Sequence, residues 1–161
     1  MIVDGITDAH RGTWSKLTRL HTATVVLPMH TTRIARTGTD VTVVGHGAMV
    51  STLLQAAEIA DAEGTSLEVV DLRSLSPIDW EPLLASARRT GRVVIAQEAS
   101  GFVSLGSEIA ATIAEKTFYT LQAPPLRVSG FDVPFPQSKL EHLHLPDADR
   151  VLEAVDRALA Y

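Results

Sequence analysis

Five stretches of this 161-residue chain carry residue types and spacings that bear on chemistry. Gly45-His46-Gly47 lies between a valine-rich run and a helical pattern, like the first two glycines of the nucleotide turn G-x-G-x-x-G. Asp71, 24 residues beyond Gly47, stands where the ribose-binding acid of that motif would stand. The third glycine position is Val50, however, whose branched side chain opposes close helix–strand packing, so the plain reading is a sharp turn. Asp71-x-Arg73 sits at the carboxyl end of a strand, where α/β sheets place functional groups, but a lone pair of this kind more often holds a loop by an ion pair and backbone hydrogen bonds. Glu98, after Gln97, suits a buried or interfacial role, but no second acid completes an acid–base pair. Ser104 and Ser107 fall outside G-x-S-x-G, which argues against a hydrolase. His142-x-His144 would direct both rings to one side of an extended chain, yet a third metal ligand would have to come from Asp147 or another subunit. There is no cysteine, which excludes disulfides, thiolate catalysis and cysteine-ligated metals. No catalytic, cofactor-binding or metal-ligating residue is assigned.

The elements that position these groups are legible from hydrophobic period. Asp40–Gly45, Leu67–Asp71 and Arg92–Gln97 are short, nearly continuous Val/Ile-rich runs, the mark of strands covered on both faces of a parallel sheet. Helical patterns follow them at 48–62, 79–89 and 105–116, and the crossovers are expected to be right-handed. Gly64 is expected to end the first helix in a left-handed conformation. Ser76 before Pro77, or Asp79, is expected to cap the second. Residues 125–130 read as a further strand, and 148–160 as an amphipathic helix capped by Asp147. Thr31–Ala35 and the turn 36–39 predict a hairpin with the first core strand, and therefore an antiparallel edge. The expected fold is a three-layer αβα sandwich around a mostly parallel sheet of about five strands.

Composition bounds the function. The net charge of −5 divides into +3 over residues 1–39 and −8 over the rest, a poor match to nucleic acid and a fair one to a basic protein partner. No apolar run reaches membrane-spanning length, and the amino terminus lacks a signal-peptide core, so a cytoplasmic protein is expected. Residues 1–27 form a leader of unknown role, and 28–161 one domain.

The order of motifs resembles the C-terminal domain shared by transketolases and related thiamine-diphosphate enzymes. The residues that carry this are 38–44 (Gly-Thr-Asp-Val-Thr-Val-Val), 71–79 (Asp-Leu-Arg-Ser-Leu-Ser-Pro-Ile-Asp) and Gln97-Glu98-Ala99. The tail Asp132-Val133-Pro134-Phe135-Pro136, with Leu145-Pro146, is most similar to the β subunit of 2-oxoacid dehydrogenase E1 components, pyruvate or branched-chain. The family often has glutamate where Gln97 stands. The resemblance implies thiamine diphosphate and magnesium in the full enzyme and none in this stretch, because the activating glutamate belongs to a preceding domain that the leader is too short to contain. It implies an assembly role: a two-fold homodimer, contact with the E1 α subunit, and docking of the E2 subunit-binding domain. Interface or docking residues are expected at Glu98, Phe131, Asp132, Phe135, Asp147 and Tyr161, the last as an aromatic anchor beside a terminal carboxylate. Alternatives are the equivalent domain of a transketolase or deoxyxylulose-phosphate synthase, and a stand-alone α/β protein that binds a nucleotide or small acid at the Gly45–Gly47 turn.

Overall fold

The computed structural model describes residues 30–161. The expectations for residues 1–27 lie outside the described residues. Five strands, β1 (Arg33–Arg36), β2 (Val41–Gly45), β3 (Leu67–Asp71), β4 (Val93–Ser100) and β5 (Leu126–Gly130), form one sheet in the order β1-β3-β2-β4-β5. β2 is parallel to β3 and β4, and β4 to β5, while β1 is antiparallel to β3. Helices α1 (Met49–Ala62) and α5 (Ala148–Leu159) cover one face, and α2 (Trp80–Thr90) and α3 (Leu105–Thr117) the other. A single helical turn, α4 (Glu141–His144), lies ahead of α5. The three-layer, mostly parallel architecture is the one the sequence predicts.

Burial explains the unbroken apolar strands. Every residue of β2 is buried, with Val41 and Val43 packed in one core layer and Val44 in the other. Val41 and Val43 meet Leu53 and Ala57 of α1 and Val151 and Val155 of α5, each large side chain contributing about 1.5–3 kcal/mol by leaving water. Thr42 is the polar exception, and it is satisfied. Its hydroxyl lies 2.7 Å from Ser86 Oγ and 2.9 Å from Thr90 Oγ1 on α2. Ser86 also donates to the buried Glu68 carboxylate, whose charge is balanced by Arg89. Burying these groups is tolerable only because each has a partner.

The expected hairpin is a correction. β1 is an antiparallel edge, but its neighbour is β3 rather than β2, because β3 and β4 already occupy both sides of β2. The link between β1 and β2 instead crosses the start of β3. Asp40 N donates to Ser66 O at 2.9 Å and Asp40 Oδ2 accepts from Ser66 N at 2.7 Å. Gly38 presses so closely on the Leu67–Glu68 backbone that a β-carbon would overlap it.

Caps follow the sequence in part. Gly64 (φ +88) is left-handed, and Asp147 Oδ1 accepts from Arg150 N at 2.9 Å at the start of α5. Asp79 occupies the cap position of α2 without a capping bond. It serves the edge strand instead, Oδ2 accepting from Thr32 N at 3.3 Å while its carbonyl accepts from Thr32 Oγ1 at 2.7 Å.

Candidate interface at the carboxyl ends of β4 and β5

Asp71 and Arg73 lie at the end of β3, and their bonds are structural. Asp71 Oδ2 pairs with Arg33 at 3.1 Å, and Oδ1 accepts from Arg73 N at 3.0 Å. Arg73 in turn reaches Thr31 Oγ1 at 2.9 Å. Both residues therefore pin the start of β1, the loop-holding role that the sequence offers beside chemistry. At the Gly45–Gly47 turn, Met49 and Val50 are buried, which brings α1 onto the sheet as the plain turn reading requires.

His142 and His144 correct the extended-chain expectation. They fall in the helical turn α4, where residues two apart point to different sides. His142 lines an open cleft of about 390 Å3 with Glu98, Gln55, Asp147 and Asp149. His144 is buried, edge-on to Phe135 (5.1 Å between centroids) and Phe131 (6.1 Å). Among the described residues no three acidic, histidine or cysteine side chains converge as a metal site.

Five of the six expected interface residues share one end of the molecule. Glu98 follows the centre of β4, and Asp147 stands across the cleft from it. Phe131, Asp132 and Phe135 leave the end of β5, with Phe131 and Phe135 53% and 59% exposed. Asp132 Oδ1 accepts from Phe102 N at 3.0 Å, joining this segment to the loop after β4. Phe102, in the loop that Asp132 holds, and Val103, Val133, Leu140 and Leu143, in the same or adjoining segments, are exposed as well. Tyr161 does not share this end. Ala158 O accepts from Arg92 Nε at 3.0 Å, which places the end of α5 beside the start of β4, at the opposite pole.

Two supports of this surface escaped the sequence reading. The Arg150 guanidinium stacks 4.9 Å from the Phe131 ring centre and donates to the carbonyls of Ser129 and His144. Gly130 underlies the His144 ring, and a β-carbon there would overlap both that ring and Glu98 O. Neither signal is local, since each depends on a partner far along the chain.

A family model described as "Transketolase, C-terminal domain" matches residues 30–151. The chain belongs to that family. Its sequence is 64% identical over 135 residues to the pyruvate dehydrogenase E1 component subunit beta of Leifsonia xyli subsp. xyli, covering 84% of this chain and 40% of that protein. It is 47% identical over 133 residues to the 3-methyl-2-oxobutanoate dehydrogenase subunit beta of Mycobacterium tuberculosis, covering 82% of this chain and 38% of that one. A solved structure described as a split gene transketolase, inactive beta4 tetramer, superposes with a TM-score of 0.69 at 38% identity, over 85% of this chain and 44% of the other. The chain thus spans about 40% of the length of the relative from Leifsonia. In this transketolase C-terminal domain, the run 71–79 that carried the resemblance forms the loop ending β3, with a cis Ser76–Pro77 peptide.

Proposed function

We propose that this domain serves assembly in the β subunit of a 2-oxoacid dehydrogenase E1 component, pairing with its own copy about a two-fold axis through the carboxyl ends of β4 and β5. The 64% identity to a pyruvate dehydrogenase E1 β subunit carries the assignment to that subunit. The apolar surface of Phe102, Phe131 and Phe135 supports it, because a two-fold contact uses one patch twice and needs an apolar centre. The E1 α subunit is the further partner expected of such an enzyme, in the cytoplasm and in pyruvate or branched-chain 2-oxo acid oxidation. Among the described residues no helix is long and apolar enough to cross a membrane.

The described residues do not fit thiamine diphosphate and its magnesium. Among the described residues no group of acidic, histidine or cysteine side chains offers the metal a site. No chemical step is therefore assigned to this domain. Sedimentation equilibrium tests the pairing. A dimer is expected at micromolar concentration, with Phe135→Ser shifting it toward monomer, whereas a strict monomer at high micromolar concentration overturns the reading.

A second role is docking of the E2 subunit-binding domain along α5. Asp149, Glu153 and Asp156 lie exposed on that helix against the exposed Arg157 and half-buried Arg150, and Tyr161 beyond it is 71% exposed. Such charges speed encounter with a basic partner, and an aromatic anchor slows release.

A further inference from the structure

The sheet ends at β5, and among the described residues no strand pairs with its outer side. A slot of about 160 Å3 runs beside it, lined by Arg127, Val128 and Ser129 of β5 and by Arg150, Glu153 and Arg157 of α5. Three consecutive strand residues line this slot although their side chains alternate between the faces of the sheet. Val128 is buried in the layer with α5, while Arg127 donates to Ser107 Oγ of α3 on the opposite face. The slot therefore opens on the edge of the strand, where peptide groups lack a neighbouring strand, with α5 along its other wall. Its charge is uneven. Among the described residues none of the three arginines is in an ion pair, and Glu153 is the one carboxylate among the lining residues. Arg150 is fixed by the carbonyls of Ser129 and His144, whereas Arg157 is exposed.

We propose that the outer edge of β5 takes an extended acidic segment of a partner protein as an added strand, its main chain bonded to β5 and its carboxylates held by Arg150 and Arg157. Main-chain bonds supply the affinity in this mode of recognition, and side chains at alternate positions supply the specificity. Arg150 and Arg157 lie two helical turns apart, about 10 Å at the ordinary rise. Roughly three residues of an extended chain cover that length, so acids at alternate positions of the added strand meet one arginine each. Charge selects the occupant. Unpaired arginines beside an open edge repel a basic strand and attract an acidic one, and Glu153 opposes the same ligand.

The probe is a short acetylated peptide that alternates glutamate with valine, titrated by calorimetry into the 161-residue chain while amide hydrogen exchange is followed. Binding is expected to add protection to the amides of β5 and none to those of β1, the opposite edge. Arg157→Gln is expected to weaken binding about fivefold, the scale of one charge-assisted contact, with the fold intact by circular dichroism. Glu153→Gln should tighten it. The same peptide with its central valine replaced by proline should lose binding, because proline cannot donate to the strand. No binding at millimolar peptide, unchanged protection of β5, or equal affinity of the proline peptide overturns the added strand. Equal affinity of a peptide with lysine in place of glutamate, or an affinity that neither Arg157→Gln nor Glu153→Gln moves, overturns the acidic occupant.

Discussion

At the scale of single residues, Gly130 decides whether the aromatic surface can form. The His144 ring lies over it, and the ring in turn supports Phe131 and Phe135. One obstacle to a methyl group here is the Glu98 carbonyl, part of β4 and unable to move without disturbing the sheet. Gly130→Ala is therefore expected to destabilise the domain by about 1–3 kcal/mol, the usual cost of overpacking. Chemical denaturation measures it, and a loss below about 0.5 kcal/mol would mean that both the His144 ring and the Glu98 carbonyl give way at little cost. His144 Nδ1 is buried without a hydrogen-bond partner, an exception to the rule that buried polar atoms are paired. The sequence shows this glycine as one more strand end. Its constraint comes from a histidine fourteen positions away, and no local pattern reveals that.

At the scale of elements, the strands and long helices were legible because burial on both sheet faces writes itself into hydrophobic period. Three features were not. The partner of β1 was misread because a short turn favours a hairpin locally, while the neighbours of β2 are chosen by the two crossovers. Asp79 was read as a cap, but the arrival of Thr32 draws its side chain to the edge strand. His142 and His144 were read on an extended chain, whereas the segment closes into one turn of helix after Leu140. Of the interface expectations, the clustering of five residues follows from placing loops at strand ends; the separation of Tyr161 follows from the direction of α5. The tie between β1 and the loop before α2 yields a second prediction. Thr32→Val removes the 2.7 Å bond to Asp79 O and leaves that carbonyl short of a partner. A loss of about 1–2 kcal/mol is expected. Hydrogen exchange should show it first in β1, because an edge strand opens locally while Val43 and Ile95 in the sheet centre stay protected. Equal loss of protection across the whole sheet would show instead that β1 is part of the global folding unit.

At the scale of the whole molecule, α5 separates two surfaces. Asp147 caps it beside the cleft with Glu98, and Tyr161 follows its other end near Arg92. Its 12 residues span about 18 Å at the ordinary helical rise. That is well beyond the distance at which substitutions usually couple, roughly 7–10 Å. If self-association uses the Phe131–Phe135 end and E2 docking uses the acidic side of α5 with Tyr161, the two activities must separate by mutation. Tyr161→Ala is expected to weaken binding of an E2 subunit-binding domain by more than about 1 kcal/mol, above the level of a peripheral contact, and to leave the dimer unchanged. Phe135→Ser is expected to weaken the dimer and leave the E2 affinity per chain unchanged. The double variant should show the sum of the two effects to within about 0.5 kcal/mol. Calorimetry with the E2 domain and sedimentation equilibrium read the two activities independently. The acidic side of α5 adds a signature, since E2 binding should weaken as salt rises while the apolar dimer contact does not. A dimer that dissociates in Tyr161→Ala would show that the two-fold contact lies at the Arg92 end, and the assignment of the Phe131–Phe135 surface would then fall.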